Sequence, residues 1–423
     1  MANSLLKRSS AVVLTVVMSL LTTAFPGLGQ ERPWTVEDVM ELRSPGSVEV
    51  DPAGGKIVYA ISWRDLTENE NQSDLWLAER DGLEGLRLTR DGSAASPSWA
   101  PDGSWIAFLS ARDGERQVYG IRPDGGEAWK VTDSPTAVQA FQFSPDGAQL
   151  AFRASEERDE AWSERDEWRG HPMVWDSAYA TDWSHLWTVG IADGVAGDAQ
   201  RVSPDGHSVG GFVWSPDGRS LAWSASTMAD EETHRGRERP TGIALESDIY
   251  VRAIAGNSVQ QVTRLRGGVQ PEAWIPELGL IVSGTGQELG TYNRQLWLAD
   301  LEGLSGEARS LTAALDEHAG FVAASARELL VEVRHRTGGR LYRIPLGAGA
   351  EPGEPEVVTD DSLFYTNFSS DQNLKHLAFL GQGPKTPPNI YVSSAHDFSA
   401  SRLTDLNPQV ASLALGEQRV VPV

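Results

Sequence analysis

Apolar and polar positions alternate from Gly211 to Ser226, with Phe212 and Trp214 on one side of Ser215-Pro216-Asp217-Gly218 and Leu221 and Trp223 on the other. Alternation of period two on both sides of a tight turn predicts a β-hairpin. Proline presets φ at the first corner, Asp217 can bond its own backbone, and Gly218 takes the left-handed conformation that feeds the second strand. The same pattern recurs at Ser98-Trp99-Ala100-Pro101-Asp102-Gly103 and at Phe143-Ser144-Pro145-Asp146-Gly147.

From Ser44 onward the chain divides into seven such segments, at about residues 44–90, 91–133, 134–204, 205–264, 265–313, 314–360 and 361–408. Each has an inner hairpin, a third strand of the type Asp74-Leu75-Trp76-Leu77 or Asn389-Ile390-Tyr391-Val392, and a closing pair such as Leu88-Thr89 or Leu403-Thr404. The fifth segment has lost the Pro-Asp-Gly turn, and the sixth is the most eroded. Four strand signals in a period of about 40–50 residues predict an all-β, seven-bladed β-propeller, in which thin blades bury their faces only against neighbours. A β-sandwich would not explain a turn repeated at a fixed place in every unit. Most of the 15 tryptophans are expected in the blade cores.

The ends read differently. Lys7 and Arg8 precede the apolar run Ala11 to Leu21 and a small-residue stretch, the pattern of a secretory signal peptide over residues 1–29. A periplasmic or secreted protein is expected, with no membrane association after cleavage. Residues 30–43 carry one short helix, Val36 to Leu42, with Thr35 as its cap and Asp38 placed to complete a capping box. The propeller occupies 44–408, and 409–423 leads out of it.

Charge and composition narrow the partners. A net charge of −23 offers no basic footprint for nucleic acid. Zero cysteines exclude disulfides and thiolate metal sites, and none of the eight histidines has metal-ligand spacing, so neither a metal nor another cofactor is expected.

Trp34-Thr35-Val36-Glu37-Asp38-Val39, the three Pro-Asp-Gly hairpins and the tail Val410 to Glu417 together resemble the propeller half of prolyl oligopeptidase family serine peptidases, in particular the acylaminoacyl-peptidase and dipeptidyl-peptidase-like branches. The resemblance runs from about Trp34 to Val421. It implies a propeller that gates peptides into an α/β-hydrolase site. The family's serine, aspartate and histidine belong to a domain after the propeller, and no triad stands in this chain, so no catalytic residue is assigned and the chain is expected to be inactive alone. The alternative is a stand-alone periplasmic scaffold that binds a protein partner.

Two stretches hold candidate chemistry. Gly206-His207-Ser208-Val209-Gly210 matches a nucleophile elbow, but it lacks the strand before it and the helix after it, and reads as a glycine-rich connection between blades three and four. The third blade carries an insertion from Glu156 to Ser184, rich in alternating acids and arginines, with Trp162, Trp168, Trp175 and Trp183. Some dipeptidyl peptidases hold the substrate's amino terminus with a propeller glutamate pair, and Glu156-Glu157 resembles it as a dipeptide. These two are the substrate-binding candidates.

Overall fold

The computed structural model describes residues 32–82, 85–157, 183–192, 194–227, 247–264, 268–285, 293–299, 301 and 308–418. The stretch 1–29 expected to be a signal peptide, most of the third-blade insertion and the polar excursion from Met228 to Glu246 lie outside them. The alternating segments form seven sheets, each built of strands consecutive in sequence. In the first blade these are Ser44–Val50, Lys56–Asp65, Glu70–Glu79 and Leu86–Arg87, all antiparallel. The inner strands of the next six are Ala95–Trp99, Val138–Phe143, His207–Trp214, Gln270–Ile275, Ala319–Ala324 and Phe364–Ser370. The third blade adds a fifth short strand, Val195–Ala196, beside its third strand Ser184–Ala192.

Apolar residues from facing sheets fill the spaces between blades. Between the first and second, Val58, Leu75 and Leu77 meet Trp99, Ile106 and Phe108. Between the third and fourth, Leu186 and Ala151 meet Trp214, Leu221 and Trp223. The ring closes because the first blade packs in turn on the seventh, Val48, Val50 and Ile57 against Ala378, Ile390 and Val392. No sheet among the described residues takes strands from both ends of the chain. Polar bonds pin the seam instead: Arg43 N–H donates to Asn407 Oδ1 at 2.9 Å and Asn407 Nδ2 donates back to Arg43 O at 2.8 Å. Arg32 N–H donates to Ser412 O at 3.1 Å and Ala414 N–H to Arg32 O at 2.7 Å, so the incoming and outgoing chain run side by side.

The closing Leu-Thr signature has a structural cause. In each blade the threonine or serine after the outer strand accepts a backbone N–H from within the third strand: Leu75 donates to Thr89 at 3.0 Å, Val118 to Thr132 at 2.9 Å, Leu186 to Ser203 at 3.1 Å and Ile249 to Thr263 at 2.9 Å. Leu296, Leu341 and Ile390 bond Thr312, Thr359 and Thr404 in the same way at 3.0, 3.2 and 2.9 Å. The hydroxyl then donates to the side chain one residue back, Asp74, Gln117, Asp248, Gln295 or Asn389. In the first blade this acceptor is fully buried and also ion-paired to Arg87. Each latch thus ties the outer strand to the third where only two or three residues pair.

The leading helix is Val36–Met40, two residues shorter than expected from sequence. Its capping box is formed, and Arg32, whose guanidinium holds the Asp38 carboxyl well below the usual carboxylate range, fixes the approach. Val36 and Val39 remain 73% and 54% exposed. Antiparallel order places this helix, the outgoing segment 403–418 and the described connections between second and third strands, at 66–69, 111–116, 336–337 and 384–385, on one face of the ring. The Pro-Asp-Gly turns lie on the opposite face. None of the described helices is long and apolar enough to cross a membrane.

Candidate functional site

Seven inner strands surround a central channel, and at its turn-side end they enclose a cavity of about 550 Å3 lined from every blade. The rim is built by the repeated turns. Ser144 and Ser215 donate to Asp146 and Asp217 at 2.6 Å, and Ser104 donates to Asp102 at 2.7 Å, which lowers all three carboxyl pKa values. The glycines that follow have φ of 67–71° and lie against the proline of the preceding blade, Gly103 on Pro52, Gly147 on Pro101 and Gly218 on Pro145. A Cβ there would be strained by φ itself.

One position per blade, paired with the first apolar residue of the second strand, lines the mouth. It is Val50, Trp99, Phe143, Trp214, Trp274, Ala324 and Ser370 in blade order. Blades two to five therefore form an aromatic arc, with Trp99, Phe143 and Trp214 packed largely into the blade cores, and blades six, seven and one form a small-residue arc. The residue just before reaches sideways. Glu49 accepts Trp99 N–H at 3.2 Å, Gln142 accepts Trp214 N–H at 3.2 Å, and Ser369 Oγ accepts Val50 N–H at 3.1 Å.

Every inner strand also shifts register by a bulge. A bulge leaves backbone groups without a ladder partner. Neighbouring blades supply acceptors: Gln270 Oε1 takes Gly211 N–H at 2.8 Å and Glu332 takes Asn367 N–H at 2.8 Å.

Three carboxylates line the mouth, Glu49, Glu272 and Asp371, and among the described residues no lysine, arginine or histidine does. Asp371 is committed to its own turn, accepting Lys375 N–H at 2.7 Å and lying 3.1 Å from His376 Nδ1. Glu49 has its pKa pushed up to about 7 by desolvation, which the Trp99 N–H and Ser98 hydroxyl offset only in part. No group of three histidine or acidic residues among the described residues is placed to hold a metal.

The sequence candidates lie away from this mouth. Ser208 is not in a connection between blades, as its glycine-rich surroundings suggest. It sits inside the inner strand His207–Trp214, paired with Ser226, because Gly210 and Gly211 are the bulge and not a turn. Glu156 and Glu157 stand at the stem of the third-blade insertion. Glu156 N–H donates to Trp183 O at 2.7 Å, and its half-exposed carboxylate lies 3.7 Å from His185 Nε2. Burial, then the charge of Arg201, lowers the His185 pKa, so the ring is neutral at pH 7. Glu157 is exposed, and residues 158–182 lie outside the described residues. The mouth itself carries a signal that the hairpin pattern contained: an aromatic two residues before proline, at Trp99, Phe143, Trp214 and Trp274.

No model of a protein family matches the chain. Its sequence is 32% identical over 127 residues to dipeptidyl-peptidase 5 of Porphyromonas endodontalis, covering 30% of this chain and 18% of the relative. With dipeptidyl-peptidase 5 of Porphyromonas gingivalis it shares 24% over 323 residues, 69% of this chain and 45% of the relative. The chain thus spans less than half the length of these relatives. Among solved structures, acylaminoacyl peptidase in complex with Z-Gly-Gly-Phe-chloromethyl ketone aligns at a TM-score of 0.65 and 13% identity, covering 89% of this chain and 55% of that one. The β-propeller domain of the Trilobed protease from Pyrococcus furiosus, described as having an open velcro topology, aligns at 0.59 and 12% identity over 87% of this chain and 99% of that one. The chain is a seven-bladed propeller with relatives named dipeptidyl-peptidase 5, and its structural neighbours are the propeller domains of acylaminoacyl peptidase and related prolyl oligopeptidase-family peptidases.

Proposed function

We propose that this propeller is the substrate-gating part of an exported serine peptidase, admitting unfolded peptides through its central channel and excluding folded proteins. The observation that carries the reading is the channel mouth lined by all seven inner strands, on the face opposite the incoming and outgoing chain. A peptide entering at the turns would travel toward the face where a hydrolase domain joined to the chain would sit. The dipeptidyl-peptidase relatives supply the reaction class. Export rests on the leader-like pattern of residues 1–29.

The one serine, histidine and acid grouping met among the described residues, Ser203 Oγ 3.4 Å from His185 Nδ1 with Glu156 3.7 Å from Nε2, has its serine buried and latched to Leu186 N–H, so residues 1–423 are expected to bind peptides without cleaving them. Cleavage of acyl-peptide or dipeptidyl chromogenic substrates that Ser208→Ala abolishes would overturn the reading. In the gene product as it occurs naturally, Ala324→Trp extends the aromatic arc across the small-residue side and narrows the mouth. Peptide hydrolysis should then fall severalfold more for substrates of eight residues than for a small chromogenic one. Equal effects on both would show that the channel is not the route.

A further inference from the structure

We infer that the third blade carries an acid-sensitive edge, in which protonation of His185 withdraws the ring from Arg201 and Ser203 toward Glu156 and so frees the outer strand Gln200–Arg201, while the other six outer edges stay closed. Nothing in this depends on the channel being a peptide passage. The latch that ties each outer strand needs an acceptor for its hydroxyl, one residue before the bonded amide. That position holds Asp74, Gln117, His185, Asp248, Gln295, Arg340 and Asn389 in blade order. Of these side chains, only histidine ordinarily changes charge between pH 5 and 8.

His185 is 4% exposed, and its Nδ1 faces Arg201 Nη2 at 3.0 Å and Ser203 Oγ at 3.4 Å. A guanidinium only donates, so Nδ1 offers a lone pair and the ring proton sits on Nε2. Ser203 Oγ accepts Leu186 N–H at 3.1 Å, which leaves its own proton for Nδ1. The neutral ring therefore closes the latch. A second proton goes to Nδ1, where it removes the lone pair that both partners use and sets a cation against the Arg201 guanidinium. Among the described residues the charged groups facing the ring are Arg201 on the outer strand, Glu156 just after the second strand, and Asp205 on the way into the fourth blade. Asp205 is paired with Arg201 at 2.9 Å. Glu156 is the carboxylate placed for an imidazolium: its Oε1 lies 3.7 Å from Nε2, and that nitrogen is buried with no hydrogen bond among the described residues. Protonation thus exchanges two bonds to the outer edge for one ion pair to the stem of the insertion. Little else holds this edge, since Gln200 and Arg201 pair with Thr188 and Trp187, and Val202 N–H donates to Leu186 O at 2.7 Å. Burial, then Arg201, lowers the His185 pKa from its ordinary 6.5, so the folded state gives up the proton more readily than the unfolded one. The latch's contribution is complete above the unfolded value and is lost as pH falls through the folded one.

Hydrogen exchange on the full chain, followed by mass spectrometry and corrected for the intrinsic rate at each pH, reads the opening. From pH 7.5 to pH 5, protection in the peptide 199–204 is expected to fall about tenfold, the size set by two lost side-chain bonds. Protection in the matching peptide 400–405 of the seventh blade, whose latch acceptor is Asn389, should stay unchanged. His185→Gln supplies the acceptor that blades two and five use and cannot take a charge, so it should hold the third blade closed at both pH values. Glu156→Gln should move the opening to lower pH. The imidazole Cε1 resonance of His185, assigned by its loss in His185→Gln, should titrate below 6.5 with the same midpoint as the opening. No fall in the third blade, an equal fall in blades three and seven, a fall that persists in His185→Gln, or a ring midpoint at or above 6.5 each overturns the switch. An unchanged midpoint in Glu156→Gln overturns the transfer of the ring to Glu156.

Discussion

The outer and inner edges of the blades solve the same problem in opposite ways. At the outer edge one hydroxyl latch recurs in all seven blades, from Thr89 to Thr404, with serine once in place of threonine. At the inner edge the turn is spelled Pro-Asp-Gly in blades two to four and replaced by Pro276-Glu277-Leu278-Gly279, Ser325-Ala326-Arg327 and Asp371-Gln372-Asn373 in the last three. Outer strands pair over two or three residues and need the latch, because so short a strand has little ladder to hold it. Inner strands are held by blades on both sides and by side chains that reach across. Their ends are therefore free to differ, and the differences shape the mouth.

The sharpest way to break this contrast is to remove the buried latch acceptor. Asp74→Ala leaves Arg87 and the Thr89 hydroxyl without their partner in the first blade. A loss of about 3–5 kcal/mol is expected, seen as a lower urea midpoint at similar slope. A smaller effect tests whether the second half of the latch matters. Thr404→Val removes both a bond to Ile390 N–H and one to Asn389, whereas Thr359→Val removes the bond to Leu341 N–H from a blade with Arg340 at the acceptor position. Thr404→Val should cost about 1–2 kcal/mol and Thr359→Val less. Equal costs would mean that the acceptor contributes nothing.

The smallest expected effect probes the inner edge through pH. Folded, the Glu49 carboxyl keeps its proton up to about 7; unfolded, it releases it near about 4.3. The native state thus binds more protons between these values, so this group's contribution is fully present below the unfolded value, declines as pH rises and is gone above the folded one. The groups facing it are the Trp99 N–H and the Ser98 hydroxyl, with no cation among the described lining residues. Glu49→Gln removes the titration. Compared with the wild type, the variant should gain about 1 kcal/mol in urea unfolding on going from pH 5 to pH 8, the full shift being discounted for water in the channel. Parallel pH profiles would show that the carboxyl is solvated like a surface glutamate.

Local rules carried much of the fold into the sequence. Period-two alternation broken by Ser215-Pro216-Asp217-Gly218 is decided by pleat and turn geometry, both of which act within a few residues, and the repeat then implies the ring. The capping box at Thr35 and Asp38 was legible for the same reason, although its helix stops at Met40. Ser208 was misplaced because a glycine pair reads as a break, while in the ring it is a bulge satisfied by Gln270 from the next blade. The role of Glu49 was not legible either, since its partner, Trp99, is 50 residues away. Glu156 and Glu157 stand out in the sequence as a dipeptide, whereas the shared cavity of Glu49, Glu272 and Asp371 was not legible, because these carboxylates come together from blades one, five and seven. The sequence by itself determined the strands, the turns and the number of blades, because these follow from neighbours along the chain. Which carboxylates face one mouth, which tryptophans line it and which hydroxyls latch each blade were decided only when seven sheets closed into a ring, because closure alone sets distances between residues remote in sequence.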